Sequence, residues 1–193
     1  MRIGIVGVGR IGSFHARTLA ADPAVSDLVV VDPSTEAAAA VANAVGAAVA
    51  ADLDSLLQRD LDALLVTSAT HTHADVLRAG LRAGIPTFCE KPVAASLPET
   101  IDLARLEAAS GVPVQVGFQR RFDAAYGRLR AAIASGELGF VHTIRAATHD
   151  QSPPPPGYLP TSGGLFRDAA IHDYDVIRFV TGREVAQVYA VGA

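Results

Sequence analysis

The sequence predicts an α/β fold: a doubly wound parallel sheet, followed by the start of an α+β domain with an open antiparallel sheet. Two observations carry this. Short apolar runs alternate with helix-like segments as far as Gly117, the rhythm of repeated βα units with right-handed crossovers. Most of those runs are continuously apolar rather than alternating, as strands covered on both faces must be. After Gly117 the rhythm changes to fewer, longer elements.

The expected strands of the first part are residues 2–6, 27–31, 47–50, 63–67, 87–89 and 114–117. Helices are expected over 11–21, 35–45, 52–58, 72–83 and 97–110. The last opens with Ser96 and carries Glu99 three residues on, a capping-box start. Gly46, Gly84 and Gly111 each follow a helical stretch, where a left-handed stop belongs. Beyond Gly117 the pattern gives a helix over 122–135, closed by Gly136, and a strand over 140–148. Next comes the loop QSPPPPGYLPTSGG, whose four consecutive prolines forbid helix and sheet interior. A helix over 165–181, ended by Gly182, and a strand over 184–191 finish the chain. Two helices and two strands are little for an independent domain. The division is therefore placed at 1–118 and 119–193, the second part read as the incomplete beginning of a larger domain.

Bulk properties narrow the function. The chain has 193 residues, half of them hydrophobic, and a formal net charge of -4. Such apolar content supports a packed core. Mild acidity gives no electrostatic ground for nucleic acid or anionic membrane as partner. Cys89 is the single cysteine, so no internal disulfide can form and a reducing compartment is expected. The opening MRIGIVGVGRIG runs directly into glycines, without a cleavage-like segment. The alanine-rich stretch 37–51 is too short and too weakly apolar to span a bilayer. The expectation is a soluble, cytoplasmic protein.

Gly7-Val8-Gly9-Arg10-Ile11-Gly12 matches G-x-G-x-x-G between an expected strand and an expected helix, the dinucleotide-binding (Rossmann) fingerprint in its confirming context. Gly7 permits the turn, Gly9 lets the backbone approach a pyrophosphate, and Gly12 lets helix and strand pack closely. The pyrophosphate would meet the helix N-terminus, with Arg10 and Ile11 beside it. The second strand, LVVVD, ends at Asp32. A carboxylate there can accept hydrogen bonds from the adenosine-ribose hydroxyls and repels a 2′-phosphate, which argues for NAD over NADP. The competing reading is a glycine-rich turn beside an ordinary strand-end aspartate.

Two further stretches carry chemistry. FCEKPV, residues 88–93, contains Lys91, the only lysine in the chain. Lysine is a compact ammonium that burial can tune, whereas the guanidinium of arginine stays charged. In DAAIHDYD, Asp168 and His172 are four apart, and on one helix they would share a face. An aspartate beside a histidine orients the imidazole and raises its basicity, the arrangement of a general base that takes an alcohol proton. An exposed helix-surface pair and a zinc or manganese site are the rival readings. The missing second histidine at helical ligand spacing weighs against metal. His71 and His73 follow the fourth strand, where strand ends form the ligand crevice of an open α/β sheet. Ser68, Thr70 and His73 are placed as cofactor contacts there, against the alternative of helix capping by Thr70 or Thr72 with exposed histidines.

GVGRIG, the THTH segment, the EKP tripeptide at 90–92 and DAAIHDYD together resemble the glucose–fructose oxidoreductase, inositol dehydrogenase and MocA family of nicotinamide oxidoreductases. VGFQRRFDAAY, the proline-rich loop, TSGGLFRD and REVAQVYAVGA are most similar to inositol 2-dehydrogenases. The resemblance covers the whole chain, but full members continue well past its end. It implies a cofactor domain followed by a substrate domain with a large open sheet. It also implies that Lys91 hydrogen-bonds the reacting oxygen, His172 accepts the proton and Asp168 supports it, while Glu90 orients the lysine or lines the nicotinamide site and Pro92 sits in a cis peptide. The implied reaction is NAD-dependent oxidation of a secondary alcohol of a cyclic polyol or sugar, myo-inositol foremost, by a homo-oligomer, dimer or tetramer. Another sugar substrate, reduction of an imine or enol-ether-type group, and a non-catalytic dinucleotide-binding module are the alternatives.

Overall fold

The computed structural model describes residues 1–149, 152–154 and 156–191. The chain forms two compact units, Met1–Gly117 and Phe118–Ala193.

The first unit contains β1 (Arg2–Val6), α1 (Arg10–Ala20), β2 (Asp27–Val31), α2 (Thr35–Val45), β3 (Ala48–Val49), α3 (Leu53–Leu57), β4 (Ala63–Val66), α4 (Thr70–Arg82), β5 (Thr87–Cys89), α5 (Leu97–Ser110) and β6 (Val114–Val116). The strands make one parallel six-stranded sheet in the order β3-β2-β1-β4-β5-β6. The order reverses between β1 and β4, the place where open sheets of this kind bind ligands beyond the carboxyl ends of their strands.

Successive strand residues point to opposite faces, and each face has its own core. Ile3, Ile5, Leu28 and Val30 pack with Ala16, Ala38 and Ala42 of α1 and α2. Val29, Val31, Leu64, Val66 and Cys89 pack with Leu56, Ala74, Leu77 and Leu103 of α3, α4 and α5. Burial on both sides is why these strands read as unbroken apolar runs. The helix starts follow their caps: Ser34 accepts from Ala37 N–H, Asp52 closes a capping box with Ser55, and Ser96 accepts from Glu99 N–H. Helix α4 begins two residues earlier than expected, so Thr70 and His71 lie within it.

The second unit opens with a 3₁₀ turn, Gln119–Phe122, then α6 (Ala124–Ala134), capped by Asp123. After a second 3₁₀ turn, Leu159–Thr161, come α7 (Leu165–Asp168) and α8 (Ile171–Thr181). Helix α8 packs on α6, with Val176 and Val180 buried.

Two expectations fail in this unit. The single helix over 165–181 is broken. The Leu165 carbonyl accepts from both Ala169 N–H and Ala170 N–H at 3.0 Å, so the hydrogen-bond ladder slips by one residue before α8 begins. The segments 140–148 and 184–191 also carry no strand among the described residues, and the open antiparallel sheet is not formed there. A strand needs a paired neighbour to satisfy its backbone. Val188 and Tyr189 are 84% and 91% exposed, so no packing face holds the last segment flat. No helix among the described residues is long and apolar enough to cross a membrane.

Candidate functional site

The glycine loop leaves β1 at Gly7, which has φ +90°. A β-carbon on Gly7 would lie 2.4 Å from Ser68 Cα, and one on Gly12 would lie 2.0 Å from the Gly7 carbonyl oxygen. Loop, helix and the β4 end are thus in direct backbone contact. Gly9 differs: a β-carbon there would meet nothing within 4 Å. The backbone at Gly9 is bare, and α1 starts just after it without a side-chain cap. Leading N–H groups of a helix and its dipole favour an anion in that position. These residues fit the pyrophosphate of a dinucleotide. Arg10 and Ile11 stand exposed at the same end.

Asp32 directly follows β2, and its carboxylate is tied to the neighbouring backbone. Its Oδ2 accepts from Val8 N–H at 2.8 Å and its Oδ1 from Ser34 N–H at 2.9 Å. The carboxylate therefore fixes the glycine loop. Each oxygen retains a second lone pair, enough for ribose hydroxyls.

At the end of β4, Thr67 donates to the Gly7 carbonyl at 2.6 Å. Ser68 Oγ and Thr72 Oγ1 are 2.6 Å apart, and Thr72 also donates to the Ala69 carbonyl. Ser68 and Thr70 are half-buried at the crevice side. His73, expected as a cofactor contact, is instead 2% exposed. Its ring sits between two backbone carbonyls, Pro92 O at 2.8 Å from Nδ1 and Ser68 O at 3.0 Å from Nε2. Helix α4 starts early enough to turn this side chain inward, and His73 braces two crevice loops from behind.

Lys91 lies half-buried in the turn after β5, and the Lys91–Pro92 peptide is cis. Glu90 precedes it, tied through its own N–H to Val66 O at 2.9 Å. The Glu90 carboxylate meets His15 Nε2 at 2.9 Å. Burial pushes this carboxyl up, but the His15 hydrogen bond and charge, then the Lys91 N–H and ammonium, outweigh it and hold the group below the usual range. Cys89 is inaccessible, and burial followed by the Glu90 charge pushes its thiol up to about 12. It is a core residue, not a nucleophile.

In the second unit Asp168 ends α7 and His172 is the second residue of α8. The helix break means that the two residues sit on adjoining helices, so a shared helical face does not describe them. Tyr158, from the proline-rich loop, donates to Asp168 Oδ1 at 2.8 Å. The aspartates after His172 are engaged by the arginine pair of GFQRRFD. Arg120 pairs with Asp173, whose oxygens also accept from Thr148 Oγ1 at 3.1 and 3.2 Å. Arg121 makes a forked pair with buried Asp175, 2.9 Å from Nε to Oδ2 and 2.6 Å from Nη2 to Oδ1. Among the described residues no three His, Cys, Asp or Glu side chains are placed to hold a metal ion.

Sequence reasoning missed His15, Tyr158 and the two arginines. His15 and Glu90 are 75 positions apart, and only the parallel topology joins them. Tyr158 carried a faint signal, as the one aromatic in a loop of prolines.

Comparison with known proteins agrees with this architecture. Myo-inositol dehydrogenase Hyg17 of Streptomyces leeuwenhoekii is 45% identical over 195 residues, covering 100% of this chain and 59% of that protein. Inositol 2-dehydrogenase of Rhizobium meliloti is 36% identical over 194 residues, covering 100% and 58%. The crystal structure of scyllo-inositol dehydrogenase from Lactobacillus casei with bound NAD(H) and scyllo-inositol superposes with a TM-score of 0.84 at 30% identity, covering 95% of this chain and 57% of that one. The chain thus spans less than two thirds of the length of these relatives. Residues 1–118 match the oxidoreductase family with an NAD-binding Rossmann fold, and residues 126–193 match the GFO/IDH/MocA C-terminal domain. With the glycine loop, Asp32 and the EKP turn all at the carboxyl edge of one parallel sheet, the chain belongs to the GFO/IDH/MocA family of oxidoreductases.

Proposed function

We propose that the protein is an NAD-dependent dehydrogenase that oxidises a secondary alcohol of a cyclic polyol, myo-inositol to its 2-keto form. The observation that carries this is Lys91. The chain's only lysine stands in the turn that β5 delivers at the carboxyl edge of the sheet. Glu90 and His73 brace that turn, and the glycine loop with Asp32 belongs to the same edge. Relatives named as inositol dehydrogenases support the substrate class.

Residues 1–118 are read as the cofactor domain and 119–193 as the first part of the substrate domain. Gly7, Gly9 and Gly12, with Arg10 and Ile11, receive the pyrophosphate. Asp32 receives the adenosine ribose, and Ser68 and Thr70 flank the crevice. Bound NAD supplies the hydride acceptor. Lys91 donates a hydrogen bond to the reacting oxygen and stabilises the negative charge that grows there. His172 takes the hydroxyl proton as the C–O bond becomes C=O. Asp168, itself held by Tyr158, keeps the imidazole oriented. The active form is read as a cytoplasmic homo-oligomer.

The test is reduced-cofactor absorbance with NAD against a panel of cyclic polyols and sugars, for this chain and for a version extended to the length of its relatives. Turnover on inositols above other polyols supports the reading. NAD binding without turnover on any polyol by the extended protein overturns it.

A further inference from the structure

His15 lies in α1, past the glycine loop, and the reaction as proposed gives it no part. Its ring stands edge-on to Phe14 and to Phe88, with centroids 5.8 and 5.5 Å apart. Phe14 is 58% exposed, so the Phe88 edge is the more shielded of the two contacts. Nε2 points at Glu90 Oε1, 2.9 Å away. An ionised carboxylate only accepts, so Nε2 carries the hydrogen. The other carboxylate oxygen of Glu90 lies over Gly117, where a β-carbon would approach Oε2 to 3.1 Å. The Glu90 backbone is anchored to β4 through Val66 O. Glu90 is thus held at its backbone and, through Oε1, by His15, while the absence of a side chain at Gly117 leaves room for Oε2. What it offers in return is a bond to the Lys91 N–H and a negative charge near the Lys91 ammonium. The pair is mostly shielded, with side chains 23% and 22% exposed, so its geometry matters more than that of a surface pair.

The geometry points to His15 as a positioning residue: it fixes the Glu90 carboxylate in the rotamer that anchors the Lys91 backbone, and so sets where the lysine ammonium points. The helix that receives the cofactor phosphates at its start therefore also carries the brace of the EKP turn. This inference rests on the reading of Lys91 as the group that meets the substrate oxygen.

Lys91 is the only lysine, so this chain made with lysine labelled ¹³C at Cε and ¹⁵N at Nζ shows one lysine side-chain signal. That signal is compared, with and without NADH, in the unmodified chain, His15→Ala, His15→Gln, Glu90→Gln and the double variant His15→Ala with Glu90→Gln. Glutamine places an amide N–H where Nε2–H stood. The expected result is that Glu90→Gln and His15→Ala move the Lys91 signal the same way, that the double variant moves it no further than Glu90→Gln, and that His15→Gln restores most of the original position. In the extended protein His15→Ala should lower kcat by about 10–100-fold, the scale of a misplaced catalytic group, with NADH affinity and polyol KM changed much less. An unmoved lysine signal in His15→Ala, or fully additive shifts in the double variant, overturns the proposal. If no variant oxidises a polyol, the assigned role of Lys91 falls, while the lysine signal still decides whether His15 acts on it through Glu90.

Discussion

The Asp32 carboxylate accepts the backbone N–H of Val8, inside the glycine loop, at 2.8 Å. The carboxylate thus shapes the loop, and in the proposed function it also presents a negative charge to the ribose. The two can be separated. Asp32→Ala removes both and should weaken NADH binding by about 10–100-fold, as loss of hydrogen bonds to a charged group implies. Asp32→Asn keeps an acceptor for one loop N–H and loses the charge, so it should narrow the preference for NADH over NADPH at a smaller cost in affinity. Fluorescence titration with both cofactors reads this. Equal affinity of the unmodified protein for the two would refute the role of Asp32.

Gly9 and Gly12 should fail in different ways when replaced by alanine. A β-carbon on Gly12 collides with the Gly7 carbonyl oxygen at 2.0 Å and with Thr67 Oγ1 at 2.8 Å. Gly12→Ala must shift α1 or the loop and should cost about 1–3 kcal/mol of stability. At Gly9 the space is open, and the backbone has φ -62°, which any residue adopts. Gly9→Ala should keep the thermal midpoint and lose cofactor binding, because the methyl group occupies the pyrophosphate's place. A Gly9→Ala protein that binds NADH normally would move the phosphate site elsewhere.

Lys91 and His172 are tested by activity in the extended protein. Lys91→Ala and His172→Ala should each lower turnover by about 10²–10⁴-fold with cofactor binding nearly intact. Lys91→Arg keeps the charge but enlarges and flattens the donor. It should be almost as impaired as alanine. If arginine is fully active, charge alone matters and the compact ammonium has no special place.

Much of the first unit was legible because its physics is local. Buried parallel strands must be continuously apolar, so LVVVD and ALLV announced themselves, and Ser96 marks a helix start by chemistry that acts within three residues. The second unit obeys longer-range rules. Nothing in Ala169-Ala170 signals a break, since alanine is the best helix former; the ladder slips there all the same. Residues such as Val185, Val188 and Ile144 have strand chemistry, but a ladder exists only where a partner strand does. His73 was read from its place at a strand end, but α4 begins two residues earlier than expected and His73 lies inside it, buried. His15 could not be seen at all, because its partner arrives through the crossover and not through the sequence.

Cys89 should be silent to thiol reagents in the folded protein. It is fully buried and donates to the Glu90 carbonyl at 3.2 Å, and its thiol is pushed from 9.0 up to about 12. The folded state keeps a proton that the unfolded chain releases above its ordinary value. Stability from this group is therefore level below about pH 9 and falls as pH rises from about 9 toward 12. Disulfide-exchange labelling near pH 8 should be slow without denaturant and reach one equivalent in urea. Between about pH 8 and pH 10 the urea midpoint should fall, and Cys89→Ala should flatten that fall. Rapid labelling of the native protein would show that the strand end opens.

Arg121 and Asp175 yield the last prediction. Asp175 is 5% exposed and depends on the forked guanidinium for its partners. The guanidinium carbon also lies 5.8 Å from the Phe118 ring centroid and 5.7 Å from that of Phe179. Removing the arginine leaves a buried carboxylate uncompensated, which costs about 3–5 kcal/mol when both partners are buried. Arg121 is 42% exposed on its side chain, so solvent reaches the pair and the loss should sit at or below the lower end of that range. Arg121→Lys should recover little, since an ammonium cannot make the planar fork or stack between two rings. Arg121→Met with Asp175→Leu removes both charges and should be more stable than Arg121→Ala alone. Helix α8 carries His172 three residues before Asp175, so Arg121→Ala should also raise hydrogen exchange along α8 while leaving α1 and α4 protected. If exchange along α8 is unchanged, the fork does not anchor the helix that presents the proposed base.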